Sequence, residues 1–361
     1  MVTAPLFPYD KIRQEQDRLI RDIREAVSNG KCLIAHAPTG LGKTAAALAP
    51  ALEYALKGRK TVFFLTSRHT QHSIAVETAR LIKQKHKASF SVTDIVGKKN
   101  MCARDDVSGL YNRQFYDYCR SLVDSGSCSF YSNFKKGSML TSDSKIVIAR
   151  ISGEPLHTEE VVGLARCHGV CPYEAAVAAA KDSALVIADY YYLFNPQVRE
   201  GFLRKTGKAV EDAIIIVDEA HNLPDRLREM LTDKLSTLVV ERAMKEAEKA
   251  GDSGIRQFLF DLKKAMEGLG SEPGQKIIPQ HSLLNPLGIH DLAEMLERMS
   301  VIAESVRETE QQSFIGSVAE FLGGWQGSDE GYARILSSMQ GQKGRIITVS
   351  NQCLDPSLAA S

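Results

Sequence analysis

Ala37-Pro38-Thr39-Gly40-Leu41-Gly42-Lys43-Thr44 sets two glycines, a lysine and a hydroxyl between an apolar run and an alanine-rich stretch. Glycines let a backbone curl around phosphate oxygens, and the amides opening a helix aim positive dipoles at an anion. The pattern assigns Thr39, Gly40, Gly42, Lys43 and Thr44 to a nucleotide, with Lys43 on the terminal phosphates and the Thr44 hydroxyl on Mg2+. Ala37 stands where the general motif has glycine. Much later, Ile214-Ile215-Ile216-Val217-Asp218-Glu219-Ala220-His221 reads as a buried strand ending in two carboxylates, at the kind of strand end where α/β sheets bind ligands. Asp218 is expected to hold the Mg2+ of bound ATP, and Glu219 to orient and activate the attacking water. His221 is expected to sense that chemistry and couple it to nucleic acid. Taken alone, Asp-Glu-Ala-His is also compatible with a helix cap; the upstream phosphate loop selects the catalytic reading.

Seven cysteines form the second group, five of them at 102, 119, 128, 167 and 171. In a reducing compartment clustered thiols favour metal ligation over disulfides. Cys102, Cys119, Cys128 and Cys171 are separated by 16, 8 and 42 residues. Without a Cys-x-x-Cys pair zinc is the weaker reading, and four thiolates on separate loops suit a [4Fe–4S] cluster, yet spacing alone leaves both open. Cys167 is either a spectator or a competing fourth ligand. Cys32 and Cys353 read as packing residues. Beside the cysteines, Lys98, Lys99, Arg104, Lys135 and Lys136 offer a basic rim, with Tyr131 and Tyr173 as stacking faces for single-stranded DNA. The alternative for each lysine is a solvated surface residue.

These groups need a scaffold. Apolar runs at Cys32–Ala35, Thr61–Leu65, Ala184–Ala188 and Ala213–Val217 alternate with helical patterns such as Thr44–Leu56 and Ile74–Lys85, which predicts a parallel α/β sheet. The alternation breaks between Val96 and Lys181, where the cysteines sit, and again after Pro224. From Asp225 to about residue 340 the periodicity predicts helices over Asp225–Leu231, Leu235–Lys249, Gly254–Leu269 and His290–Arg307. Arg345–Val349 reads as a strand returning to the sheet.

Over 361 residues, 45 basic and 44 acidic side chains nearly cancel, so any polyanion surface must be a local patch. Apolar residues make up 43%, enough for an ordinary core. No secretory h-region and no apolar run long enough to span a bilayer is present, which predicts a cytoplasmic protein, nuclear if eukaryotic.

The phosphate loop and Asp-Glu-Ala-His together resemble superfamily 2 helicases, and further segments resemble the iron–sulfur group that includes XPD and DinG. Phe7-Pro8-Tyr9-Asp10 leading to Arg13-Gln14-Glu15-Gln16 is similar to that family's adenine-contacting segment, which makes Gln16 the adenine reader. Leu65-Thr66-Ser67-Arg68-His69-Thr70 resembles its motif Ia, implying contact of Arg68 with single-stranded DNA. Lys99-Asn100-Met101-Cys102, Cys128-Ser129-Phe130-Tyr131 and Gly169-Val170-Cys171-Pro172-Tyr173 resemble the surroundings of cluster ligands, with Cys119 in the remaining place.

The resemblance implies an α/β fold: a RecA-like P-loop domain (1–95 and 182–224), an inserted iron–sulfur domain (96–181), an inserted, mostly helical Arch-like domain (225–344), and a return strand (345–361). It implies an ATP-dependent, 5′-3′ helicase acting on single-stranded DNA, with ATP, Mg2+ and a [4Fe–4S] cluster as cofactors. The family's second RecA-like domain, which supplies transition-state arginines, is not recognisable in the sequence. The chain by itself is therefore expected to be an incomplete motor, completed by that domain or by a second chain. The competing reading is a nucleotide- and DNA-binding regulatory module without motor activity. A P-loop kinase would leave the Asp-Glu-Ala-His segment and the cysteines without a role.

Overall fold

Val92–Ile95, Leu185–Ala188, Thr61–Leu65 and Ala213–Val217 lie side by side in that order, every pair parallel. The computed structural model describes residues 6–38, 40–110, 112–288, 292–309, 312–341 and 344–359. Val62, Phe64, Leu185 and Ile187 pack against Leu48 and Leu52 of helix Lys43–Gly58 and against Val76 and Ile82 of helix His69–His86. Phe63 points to the opposite face, edge-on to Phe202 of helix Pro196–Thr206. Covering both faces explains why the inner strands are continuous apolar runs, each buried side chain contributing about 1.5–3 kcal/mol. Helix Gln14–Ser28 adds Ile20 to Ala45, Ala46 and Ala49 of the helix that follows the phosphate loop.

Two expectations change here. Val92–Ile95 is a strand that the apolar pattern hides, because Asp94 lies inside it. The charge is accommodated by partners: Asp94 meets His72 Nδ1 at 2.5 Å and accepts from the Thr158 backbone N–H at 3.0 Å and its hydroxyl at 2.9 Å. Conversely, Cys32–Ala35 is not a strand. Lys31–Pro38 has no regular structure and Ile34 is 98% exposed. An apolar run becomes a strand only with a ladder partner, and this one has none in the sheet.

The chain divides into two compact units: Met1–Gly109 with Ser125–Leu223, and Leu110–Asp124 with Pro224–Ser361. Cys102, Cys128, Cys167 and Cys171 belong to the first, and Cys119, on helix Asn112–Asp124, to the second. The second unit is less helical than its periodicity predicts. Asp233–Ser236, Gly344–Cys353, Tyr332–Gly341 and Gly274–Ile277 form an antiparallel sheet in that order. Helices Thr237–Lys249, Ser253–Leu269, Leu292–Thr309 and Phe314–Trp325 surround a core that includes Trp325, Leu259, Leu262, Met266, Leu322 and Val349.

The inward positions Arg334, Leu336 and Ser338 of the Tyr332–Gly341 strand are mostly polar, so no apolar alternation marks it. Their polar atoms are satisfied, Arg334 Nη2 donating to the Trp325 carbonyl at 2.8 Å and Ser338 to that of Gly270 at 3.1 Å. Arg345–Val349 therefore does not return to the parallel sheet. It pairs with this neighbour in a hairpin, Val349 opposite Leu336. Among the described residues, no helix is long and apolar enough to cross a membrane.

Candidate functional site

The phosphate loop is built as the residue types demand. Gly40 and Gly42 adopt φ of 84° and 82°, the left-handed region that a side chain resists, and Lys43 opens the helix immediately after. A Cβ on Gly42 would also stand 2.6 Å from Gln16 Nε2. Gln16 is buried beneath the loop, donating to the Leu41 carbonyl at 2.7 Å and accepting from the Arg13 N–H at 2.9 Å. Arg13 reaches over to the Gly40 carbonyl at 2.8 Å, so it braces the loop as well, a role that its residue type alone did not announce. Thr39 lies outside the described residues.

Strand Ala213–Val217 delivers the acid pair to the same corner. The Asp218 N–H donates to the Leu65 carbonyl at 2.9 Å, which carries the neighbouring strand's register to its end. Glu219 then turns at φ 52°, ψ 44°, a left-handed conformation unusual for a side chain of its kind. The turn brings its carboxylate within 3.7 Å of Lys43 Nζ and 3.4 Å of His221 Nδ1. Lys43 also donates to the Ala37 carbonyl at 3.2 Å, so it spans the mouth of the loop.

Burial raises the Asp218 carboxyl above its ordinary value near 3.8, the Glu219 charge adds to the rise, and Lys43 opposes it. Two carboxylates beside one ammonium, with the Thr44 hydroxyl at the start of the helix, form a hard-oxygen donor set suited to Mg2+ bound together with phosphate. A raised native pKa means that the folded protein holds the proton more tightly. Stability therefore falls as pH rises through the window above 3.8. Asp218→Asn is expected to raise the melting temperature of the nucleotide-free protein by about 1–2 °C at neutral pH, the gain vanishing toward pH 3. Thermal scans across pH check this, and a lower melting temperature at neutral pH would contradict it.

The remaining predicted residues are scattered over the first unit. Arg68 is exposed and precedes helix His69–His86. Lys98 lies 3.6 Å from the Glu174 carboxylate and 5.4 Å from the Tyr173 ring centroid, which Lys205 also approaches at 5.9 Å. Arg104 forms a two-point pair with Asp106 at 2.8 and 2.6 Å. Lys98 and Arg104 thus face carboxylates of their own chain, which lowers the net field of this rim. Lys99 is half-buried next to them.

Cys102 ends a turn in which its N–H donates to the Lys99 carbonyl at 3.2 Å. Cys128 is buried ahead of a short helix, and Cys171 precedes helix Pro172–Ala180. Their loops are joined by the Cys171 N–H donating to the Phe130 carbonyl at 2.9 Å and the Asn133 amide to that of Gly169 at 3.2 Å. Among the described residues, no three His, Cys, Asp or Glu side chains converge as a metal-holding group.

A parallel sheet with a phosphate loop and an acid pair at its strand ends defines a P-loop nucleotide-binding domain. A family model described as DEAD_2 matches residues 64–239. The XPD helicase subunit of the general transcription and DNA repair factor IIH from Arabidopsis thaliana is 25% identical over 318 residues, covering 79% of this chain and 40% of that protein. The regulator of telomere elongation helicase 1 homolog of Caenorhabditis briggsae is 25% identical over 252 residues, 68% of this chain and 24% of its own length. A probable ATP-dependent helicase of Methanocaldococcus jannaschii is 26% identical over 274 residues, 73% of this chain and 38% of that one.

Two solved structures share the fold. One titled XPD helicase has a TM-score of 0.64 at 20% identity, covering 95% of this chain and 55% of its own. One titled truncated XPD has a TM-score of 0.61 at 18% identity, covering 96% and 88%. The chain is thus similar in sequence to XPD-type helicases and shares the fold of the solved XPD structures. It spans between about a quarter and two fifths of the length of these curated relatives.

Proposed function

We propose that this chain is the nucleotide-binding part of an ATP-driven DNA helicase that moves along single-stranded DNA in the 5′-3′ direction. The observation that carries the reading is the 3.7 Å approach of Glu219 to Lys43, which unites the phosphate loop with the acid pair at one sheet end. In this reading Lys43 holds the terminal phosphates, Thr44 and Asp218 hold Mg2+, and Glu219 takes the proton of the attacking water. His221, beside Glu219, passes the state of the site toward bound DNA. Gln16, which the sequence resemblance assigns to adenine, sits beneath the loop with its amide on Leu41 and Arg13, and Arg68, Lys98, Lys99, Arg104 and Tyr173 line the path of the strand.

Transition-state arginines come from a second RecA-like domain or a second chain. Such residues contribute about 10³–10⁵ in rate, so these 361 residues by themselves hydrolyse ATP slowly. A steady DNA-stimulated rate from them alone, equal to that of an intact helicase, contradicts this part. The Pro224–Ser361 segment stands in the place of an Arch-like domain, with a sheet as well as helices. Tight single-strand binding indifferent to ATP would instead favour the regulatory module.

Cys102, Cys119, Cys128 and Cys171 are the ligands proposed for a [4Fe–4S] cluster. The sequence around three of them supports this, as does the backbone bond joining the Cys128 and Cys171 loops. Such a cluster, when bound, supplies folding free energy to loops with little core of their own. Protein purified without oxygen is expected to contain about four irons and to absorb broadly in the visible, both lost in Cys102→Ser and Cys171→Ser. Zinc or no metal would refute the cluster and leave the nucleotide site untouched.

A further inference from the structure

Three strand ends meet at one phenol that the proposed chemistry does not use. Tyr190 follows strand Leu185–Ala188 and is fully buried. Its hydroxyl donates to the Asp218 carbonyl at 2.5 Å and lies 3.2 Å from that of Glu219. The Ser67 side chain, just beyond strand Thr61–Leu65, also acts on this phenol. Burial, with the charges of Asp218, Asp189 and Glu219, pushes the phenol up to about 12 against the opposing influence of Ser67, so it stays a neutral donor at any physiological pH.

Glu219 is the residue that needs such support. Of the non-glycine residues, only Arg59, Lys87 and Glu219 have positive φ among those described. The first two sit at helix C-termini, where the left-handed cap is ordinary, whereas Glu219 ends a strand. A side chain held there costs about 1–2 kcal/mol and persists only when its surroundings over-determine it. Here Tyr190 holds the carbonyl on each side of the Glu219 N–H to Cα segment, and the Asn222 N–H donates to the Glu219 carbonyl at 2.9 Å. Without the hydroxyl, the turn that aims the carboxylate at Lys43 loses its main clamp.

We propose that Tyr190 is a positioning residue: its hydroxyl fixes the turn at Glu219 and ties it to Ser67, so that a strand bound along Ser67–Thr70 resets the hydrolytic carboxylate. The proposal rests on the reading of this site as a DNA-stimulated ATPase. Tyr190→Phe keeps the buried ring and removes only the clamp. In the full-length protein it is expected to lower kcat by about 10- to 100-fold, with KM for ATP within about threefold. Stimulation by oligothymidylate is expected to fall in both Tyr190→Phe and Ser67→Ala, with the double variant no worse than Tyr190→Phe.

Multiplying losses, or stimulation that survives Tyr190→Phe, overturns the proposal. Hydrogen exchange over residues 216–222 gives a second readout, expected to quicken in both single variants; unchanged exchange also overturns it. A wild type that hydrolyses no ATP with or without oligothymidylate sinks the ATPase reading instead, and exchange then decides on Tyr190.

Discussion

Glu219→Gln is expected to lower ATP turnover by about 10²–10⁴-fold, the range that a positioned general base contributes. The amide keeps the shape of the side chain but cannot take a proton from water. It also removes a negative charge 3.7 Å from Lys43 and beside Asp218. The variant should therefore bind Mg2+-ATP at least as tightly as the wild type, because less repulsion opposes the phosphates. Equilibrium binding of a fluorescent ATP analogue, set beside single-turnover hydrolysis, separates the two effects. Equal loss of binding and turnover would show that Glu219 organises the pocket and takes no proton.

The largest stability effect is expected at Trp325, the chain's single tryptophan. It is fully buried, 5.4 Å from the Phe321 ring, and the Arg334 guanidinium lies 5.3 Å above it. Its indole N–H donates to the Gln280 carbonyl at 3.0 Å, and Gln280 returns a bond to the Trp325 carbonyl at 3.0 Å. Trp325→Ala opens a cavity and strips the partly buried Gln280 carbonyl of its partner, a cost of about 3–5 kcal/mol. That is a large share of a typical domain's 5–15 kcal/mol. Denaturant titration followed by circular dichroism should show the loss, and a change below about 1 kcal/mol would mean that the second unit does not rest on this residue. In the wild type, indole emission should be blue-shifted and should report the unfolding of this unit.

What the sequence made legible follows from how locally each feature is encoded. Thr61–Leu65 lies where expected, since a strand covered on both faces must be apolar throughout; Ala213–Val217 also lies where expected, but as a part-exposed edge strand with Ile215 40% exposed, not as a buried one. The phosphate loop and the acid pair were legible because glycine, lysine and carboxylate at those spacings do chemistry that few other residues can. Val92–Ile95 was not, because Asp94 is buried only through His72 and Thr158, partners remote in sequence.

The second unit's sheet escaped for a related reason. Arg334 and Ser338 face inward and bond backbone carbonyls of distant segments, so polar residues mark its core side. Cys32–Ala35 shows the converse: four apolar residues supply propensity, and only a neighbouring ladder makes a strand. Tyr190 could not be singled out at all, since its meaning depends on three strand ends meeting at one oxygen.

The assignment of helix Asn112–Asp124 to the second unit bears on how the chain is made. This helix packs with Leu292–Thr309. At about 5–20 residues per second, the ribosome needs roughly 8 to 33 seconds to add the residues between them. For that time an amphipathic helix waits, already synthesised, while the parallel sheet that flanks it in sequence can close. Its exposed face is then a natural target for a chaperone on the nascent chain, and slow codons before Leu292 would lengthen that wait.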